Sequence, residues 1–198
     1  MSSCFNLLCE PWIPVLLLSG EQVEMGLAEA LARATEIREI TDESPLVTVA
    51  LHRLLLAVLH RAYGPADEAA WERLWRAGRL DGAPLRAYLD RVADRFDLFD
   101  PRRPCAQVAG LPGRLASPVA RLAPERSTGH QATVWDHHCD DVPAPVSPAQ
   151  AARWLFSHHL FCVSGSCGDG HRLRGVVAGP LAHAAVFLAC GENLLQTL

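Results

Sequence analysis

The stretch that most restricts this chain runs from Pro45 to about Tyr63 and reads PLVTVALHRLLLAVLHRAY. Asp42 to Ser44 ahead of Pro45 is a helix start, with proline in the first turn where its missing N–H costs nothing. Leu46, Val47, Val49, Leu51, Leu54, Leu55, Leu56, Val58 and Leu59 make the helix apolar on most faces. Gly64-Pro65 ends it. A helix of this kind must be covered on several sides, so it is the central buried helix and the rest of the chain supplies the cover. His52 and His60 read as packed or surface histidines within it. The composition suits that role: 49% hydrophobic and 20% charged residues over 198 positions describe one globular core-former.

The covering elements follow in order. Pro11 and Pro14 forbid helix and suit an extended edge segment, with Trp12 as a core residue. Ile13–Leu18 and Gln22–Met25 flank Ser19-Gly20-Glu21 and read as a hairpin. Gly26–Ala34 is a short helix. Asp67–Ala77 is a helix with Trp71, Leu74 and Trp75 on one face, and another begins at about Asp81, its apolar set Leu85, Tyr88, Leu89, Val92 and Phe96. Ser147-Pro148 opens a helix to about Phe161, on which Ala152, Leu155, Phe156 and His159 share a face. Ala184–Ala189 reads as a strand, and Gly191-Glu192-Asn193 begins a last helix. The predicted class is α+β, helix-rich, with small β-hairpin elements and long irregular loops. The N-terminus lacks a basic leader and no apolar run approaches the roughly 18 residues of a membrane span. Together with seven scattered cysteines, this predicts a cytoplasmic chain with reduced thiols and no membrane partner.

Two polar stretches interrupt this scheme. Prolines break up the segment from Asp100 to Pro145, and within it Ser127–Asp141 reads STGHQATVWDHHCDD. Ser157–Gly175 reads SHHLFCVSGSCGDGHRLRG. The residues support three chemistries. Asp136, His137 and His138, with Asp141, have the texture of a metal-dependent phosphoesterase in which carboxylate and imidazole hold divalent ions. Such a site calls for aspartates at the ends of earlier strands, whereas helices precede it here. Cys162 and Cys167 in C-x4-C spacing, with His137 or His138 and Cys139, offer ligands for zinc, the one cofactor the residues suggest. Gly165, Ser166, Gly168, Gly170 and Gly175, with His171, Arg172 and Arg174, offer close backbone approach and donors to phosphates or groove edges. The net charge of −4 excludes a strongly basic nucleic-acid binder, but five arginines stand against Glu125 alone between Arg102 and Trp135. Asp94 and Asp97 form a carboxylate pair with no accompanying pocket signal.

A family resemblance separates the three. FNLLCEPWIPV at 5–15 resembles the opening of CasA, the large subunit of the type I-E CRISPR Cascade complex. EIREITDESPLVTVALHRLLLAVLHRA at 36–62 resembles that family's long apolar helix. RFDLFDPRRPCAQVAG at 95–110, TGHQATVWDHHCDD at 128–141, SPAQAARWL at 147–155 and GPLAHAAVFLACGENLLQTL at 179–198 follow in the same order. The resemblance implies that 1–198 is the family's N-terminal domain, with its C-terminal helical bundle outside this sequence. It implies a non-catalytic subunit that helps read the short motif beside the target (the PAM), opens double-stranded DNA and recruits a helicase-nuclease. Its partners would be other Cascade subunits, CRISPR guide RNA and target duplex. Carried over by position, Gly129, His130 and Gln131 belong to a loop near the guide RNA, and Gly165, Ser166, Gly168 and Gly170 to a glycine-rich loop at the PAM minor groove. His130 stands where the family pattern has Asn, and Cys167 and Asp169 depart from the glycine-rich pattern. Asp136 and His137 then fix a loop's shape rather than attack a bond.

Overall fold

A computed structural model describes residues 4–111, 113, 118–127, 136, 145–163, 165–167 and 174–198, with 165–167 and 174–176 considered as backbone alone. The chain is α+β as expected. Strands β1 (Ile13–Leu17), β2 (Gln22–Met25) and β3 (Ile37–Ile40) form an antiparallel sheet in the order β2-β1-β3. Ile13, Val15 and Leu17 alternate inward along β1 and are buried. Helix α1 (Leu27–Ala32) follows the hairpin, and Leu27, Ala30 and Leu31 face the core.

Helix α2 (Pro45–Tyr63) is the central element that its apolar sequence requires. It packs on α4 (Gly82–Val92), on α5 (Pro148–Phe161) and on β3. Gly64, in the left-handed region at φ 45°, closes it. Against the sequence reading, this helix is long and apolar enough to meet the membrane-span criterion, at 19 residues. Its apolar face, however, is spent on neighbouring helices: Val47, Ala50, Leu51, Leu55, Val58 and Leu59 are buried. His52 is buried with them, its Nδ1 2.7 Å from the Thr48 carbonyl oxygen.

The N-terminal segment is held by backbone and side chains together: the Leu7 N–H donates to the Phe96 carbonyl at 2.9 Å and the Leu98 N–H to the Phe5 carbonyl at 3.0 Å. The Asn6 amide donates to the Ala93 carbonyl at 3.1 Å, and its oxygen accepts from the Leu8 N–H at 2.9 Å. Asp97 Oδ1 accepts from the Phe5 and Phe99 N–H groups at 3.1 and 3.0 Å. These backbone donors, Phe99 first, hold the Asp97 carboxyl below its usual range. Asp94 instead faces Arg103 at 3.6 Å, so the two aspartates serve separate structural contacts. Cys105 is buried, and desolvation pushes its thiol up to about 11, which makes it a core residue rather than a nucleophile.

Four local expectations change. β1 is the central strand, so Pro11 and Pro14 do not mark an edge. Pro14 lies one position past the Val15–Ile40 pair that ends the β3 register, and its carbonyl accepts from the Thr41 N–H at 2.9 Å. β3, where the family-like block at 36–62 begins, had no strand expectation, because Ile37 and Ile40 bracket two polar residues without strict alternation. The helix from Asp81 stops at Val92 and tightens to a 3₁₀ turn, Ala93–Arg95. Residues 184–189 form no strand: no backbone–backbone hydrogen bond among the described residues reaches 185–189, and Phe187 is 93% exposed. Apolar composition alone suggested that strand, but a strand needs a neighbour. The last helix, α6 (Leu194–Thr197), forms where expected, capped by the Asn193 side chain accepting from the Gln196 N–H.

Two outcomes test this core. Arg153, 11% exposed, pairs with Glu24 at 2.6 Å and lies 3.2 Å from the Asp42 carboxylate. Arg153→Ala removes the partner of the largely buried Asp42 carboxylate and should cost about 3–5 kcal/mol in urea unfolding, while Arg153→Met, which keeps the side-chain packing, should cost less. Second, burial holds His52 and His158 below the ordinary value of 6.5. The folded state therefore resists protons that the unfolded chain accepts, so this stability is fully present above 6.5 and is lost as pH falls below it. Tm should drop between about pH 7.5 and about pH 5.5, and His52→Leu should flatten that slope.

Candidate nucleic-acid interface

Both polar stretches attach to α5, so their geometry begins with that helix. Ser147 caps it, its hydroxyl accepting from the Gln150 N–H at 3.1 Å, and Pro148 occupies the first turn. Ala149, Ala152, Trp154 and Ser157 are buried, with Leu155 and Phe156 partly so. His159, expected on the apolar face, is exposed, with Nε2 2.8 Å from the Ala106 carbonyl oxygen. The helix is fastened to the sheet at Trp12. Arg153 donates to the Trp12 carbonyl at 2.9 Å, and the Phe156 ring sits 5.6 Å from the Trp12 ring.

The first stretch is closed at its base by one residue pair. Asp136 Oδ2 accepts the Ser127 N–H at 2.7 Å, and the Ser127 hydroxyl donates to the Asp136 carbonyl at 2.6 Å. Two residues nine apart thus form a doubly bonded neck, with buried Ser127 as its inner member. Arg126 lies 3.8 Å from Asp136 Oδ1 and sets its guanidinium 5.9 Å from the Trp154 ring centre. A 3₁₀ turn, Val119–Leu122, packs on α5 just before this neck. Beside it opens a cleft of about 1030 Å³, lined in part by Asp42, Ser44, Arg126, Asp136, Gln150 and Arg153.

The second stretch leaves the other end of α5. Strands β4 (Gly165–Cys167) and β5 (Arg174–Val176) form an antiparallel pair, with Gly165 opposite Val176, Ser166 opposite Gly175 and Cys167 opposite Arg174. Its base is also tied: the Gly179 N–H donates to the Cys162 carbonyl at 2.8 Å and the Leu181 N–H to that of Leu160 at 2.9 Å. A Cβ on Gly179 would collide with the Leu160 carbonyl, so the approach requires glycine. From Trp154 to Phe161 is about 10 Å along the axis. One rigid helix therefore carries both bases at a short fixed separation.

The structure places Gly165, Ser166 and Arg174 in one two-stranded ladder. Gly129, His130, Gln131, Gly168, Gly170, His171 and Arg172 lie outside the described residues, as do the metal candidates His137, His138 and Cys139 and the side chain of Cys167. Cys162 is a free, half-buried thiol at the C-terminal cap of α5. Among the described residues no three His, Cys, Asp or Glu side chains group as metal ligands. Asp136, the first residue of the hydrolase reading, spends a carboxylate oxygen on a backbone N–H, which suits a shape-fixing residue. Sequence reasoning missed Ser127, Arg126 and Arg153. The arginine inside the apolar run AARWLF was the available signal, since a cation there needs buried partners.

Residues 6–198 match the family described as CRISPR-associated protein Cse1. The CRISPR-associated protein CasA/Cse1 of Thermus thermophilus is 45% identical over 201 residues, which cover 98% of this chain and 38% of the relative. A structure of Thermus thermophilus CasA (Cse1) superposes with TM-score 0.84 at 41% identity, over 100% of this chain and 39% of that one. Cse1 of Acidimicrobium ferrooxidans gives TM-score 0.81 at 29% identity, over 100% and 38%. A chain of a CRISPR RNA-guided surveillance complex gives 0.84 at 26%, over 98% and 42%. The chain thus spans about two-fifths of the length of these relatives.

The neck supplies a direct test. Asp136→Ala removes the acceptor for the Ser127 N–H and should speed proteolytic cleavage within 128–135 with a stability loss of about 1–3 kcal/mol. Asp136→Asn keeps an acceptor oxygen and should lie closer to the parent in both limited proteolysis and thermal unfolding.

Proposed function

Because the chain belongs to the CRISPR-associated Cse1 family, we propose that it serves as a non-catalytic subunit of a type I-E Cascade complex. In this reading it corresponds to the N-terminal part of CasA, works in the cytoplasm and needs no cofactor. It docks on other Cascade subunits and guide RNA, helps read the PAM in double-stranded DNA and helps bring in the helicase-nuclease. The observation that carries the reading is the family match along 6–198, joined to the likeness to a surveillance-complex chain.

The site chemistry is compatible with that role. Contact through a glycine-containing hairpin relies on backbone and small side chains, which suits the minor groove, where the donor and acceptor pattern is degenerate. A subunit reading there tolerates several short motifs and leaves sequence identity to guide pairing. A net charge of −4 gives the isolated chain little pull on DNA, so useful affinity comes from assembly and from local arginines such as Arg174. Loop bases tied near the middle and at the end of α5 favour a reader of fixed geometry, since loops held at their necks lose less entropy on binding.

Reconstitution with the other Cascade subunits and guide RNA tests it. A duplex carrying the PAM should bind in the presence of this chain and much more weakly without it. Affinity should fall with salt, at a log–log slope of about −0.9 for each phosphate neutralised. Equal binding with and without the chain, or equal binding to a duplex lacking the PAM, would refute the proposal.

A further inference from the structure

The last turn of α5 is the seat of the β4–β5 hairpin, yet it lies beyond the core. The buried residues of α5 end at Ser157, and His158 to Phe161 are exposed or only partly covered. The hairpin bears on this turn through backbone bonds. The His158 carbonyl accepts the Cys162 N–H at 2.9 Å, and the Leu160 and Cys162 carbonyls accept the N–H groups of Leu181 and Gly179. Helix ends with little buried surface open locally at low cost. Burial alone therefore holds this turn weakly.

One side chain ties the turn to a distant part of the chain. His159 is exposed, and its Nε2 lies 2.8 Å from the carbonyl oxygen of Ala106, 53 residues earlier. A carbonyl only accepts, so Nε2 is the donor. Among the described residues, no other side chain from His158 to Cys162 makes a hydrogen bond. The acceptor is held in an uncommon conformation. Ala106 is the one non-glycine residue at positive φ among the described residues, at 55°. The left-handed region disfavours a residue with a Cβ, so the surrounding contacts must impose it. Cys105 is buried, and its N–H donates to the Asp97 carbonyl at 2.8 Å. The Gln107 side-chain amide donates to the Leu98 and Cys105 carbonyls at 2.9 and 3.2 Å. The carbonyl that His159 meets therefore belongs to a turn fixed on the core.

We propose that His159 is a positioning residue for the β4–β5 hairpin: its bond to the Ala106 carbonyl orients the last turn of α5, and so the direction in which the hairpin reaches duplex DNA beside the PAM. The contact ties the hairpin seat to the block at 95–110 rather than to its own helix. The coupling is short. Leu160, next to His159, carries the carbonyl that accepts Leu181 and the backbone against which Gly179 is closed. The proposal rests on the reading of the hairpin as a contact to that duplex, and a readout without DNA keeps the two apart.

Hydrogen exchange of the intact chain reads the seat directly. His159→Ala should raise exchange at the Cys162, Gly179 and Leu181 amides by about tenfold, the effect of one lost hydrogen bond. His159→Gln, whose amide nitrogen also donates, should restore most of that protection. Ala106→Val should reproduce the loss from the other side, because a β-branched residue resists the left-handed region and displaces the carbonyl. Both side chains are exposed, so the thermal midpoint should stay near the parent's and the variants should enter the reconstituted complex normally. In that complex with guide RNA, His159→Ala and Ala106→Val should weaken binding of the PAM duplex about tenfold, with His159→Gln close to the parent. The proposal is overturned if exchange at the three amides ignores His159→Ala, or if His159→Gln is no better than His159→Ala. It is also overturned if the parent binds the PAM duplex and His159→Ala binds it equally well. A parent chain that adds no binding of the PAM duplex refutes the DNA reading instead, and the exchange result still decides the positioning.

Discussion

The contact on which the rest depends is the seat of Arg153 against Trp12. Trp12 is fully buried, its indole N–H donates to the Leu7 carbonyl at 2.8 Å, and its own N–H donates to Met25 across the hairpin at 3.2 Å. Arg153 reaches the Trp12 carbonyl and the Glu24 carboxylate with one nitrogen and Gln150 with another. Its Nε lies 3.2 Å from Asp42 without the alignment of a hydrogen bond. One cation thereby joins the N-terminal segment, the sheet, the entrance to α2 and α5. Such a charge is tolerated at that depth because partners surround it.

That placement governs the candidate interface. α5 carries the Ser127–Asp136 neck near its middle and the β4–β5 hairpin at its end, so any shift of the helix would move both together. The neck and the Gly179 approach fix the bases of the two stretches. This division suits a surface that meets several partners: a firm scaffold fixes where each loop emerges, while the loop residues supply the contact chemistry. The opposite arrangement holds at α3 (Glu68–Ala77), where a well-capped helix presents Trp71 and Trp75 with little behind or in front of them.

Much of the architecture was legible because its causes are local. Proline in the first turn, Asp, Ser or Asn caps and left-handed glycines mark α2, α3, α5 and α6, and the Ser19-Gly20-Glu21 turn marks the hairpin. What misled was composition read without partners. AAVFLA at 184–189 has strand-like residues and no neighbouring strand, whereas IREI at 37–40 has a weak pattern and becomes β3 because β1 lies beside it. Pro14 suggested an edge by the usual steric argument, yet β1 is the central strand and Pro14 sits where the β3 register ends.

The candidate site divides in the same way. Sequence by itself determined the family, the helical class and the two polar stretches that interrupt an otherwise apolar chain, because these depend on residue identity and order. It also placed Asp136 within the first stretch, where the density of His and Asp suggested chemistry. Only the tertiary structure decided that Asp136 closes a loop base with Ser127, that α5 carries both stretches, and that Trp71 and Trp75 are half-exposed rather than in the core. Those outcomes depend on which groups the fold brings within hydrogen-bonding or packing distance, and such distances between residues far apart in the chain are set by the assembled core.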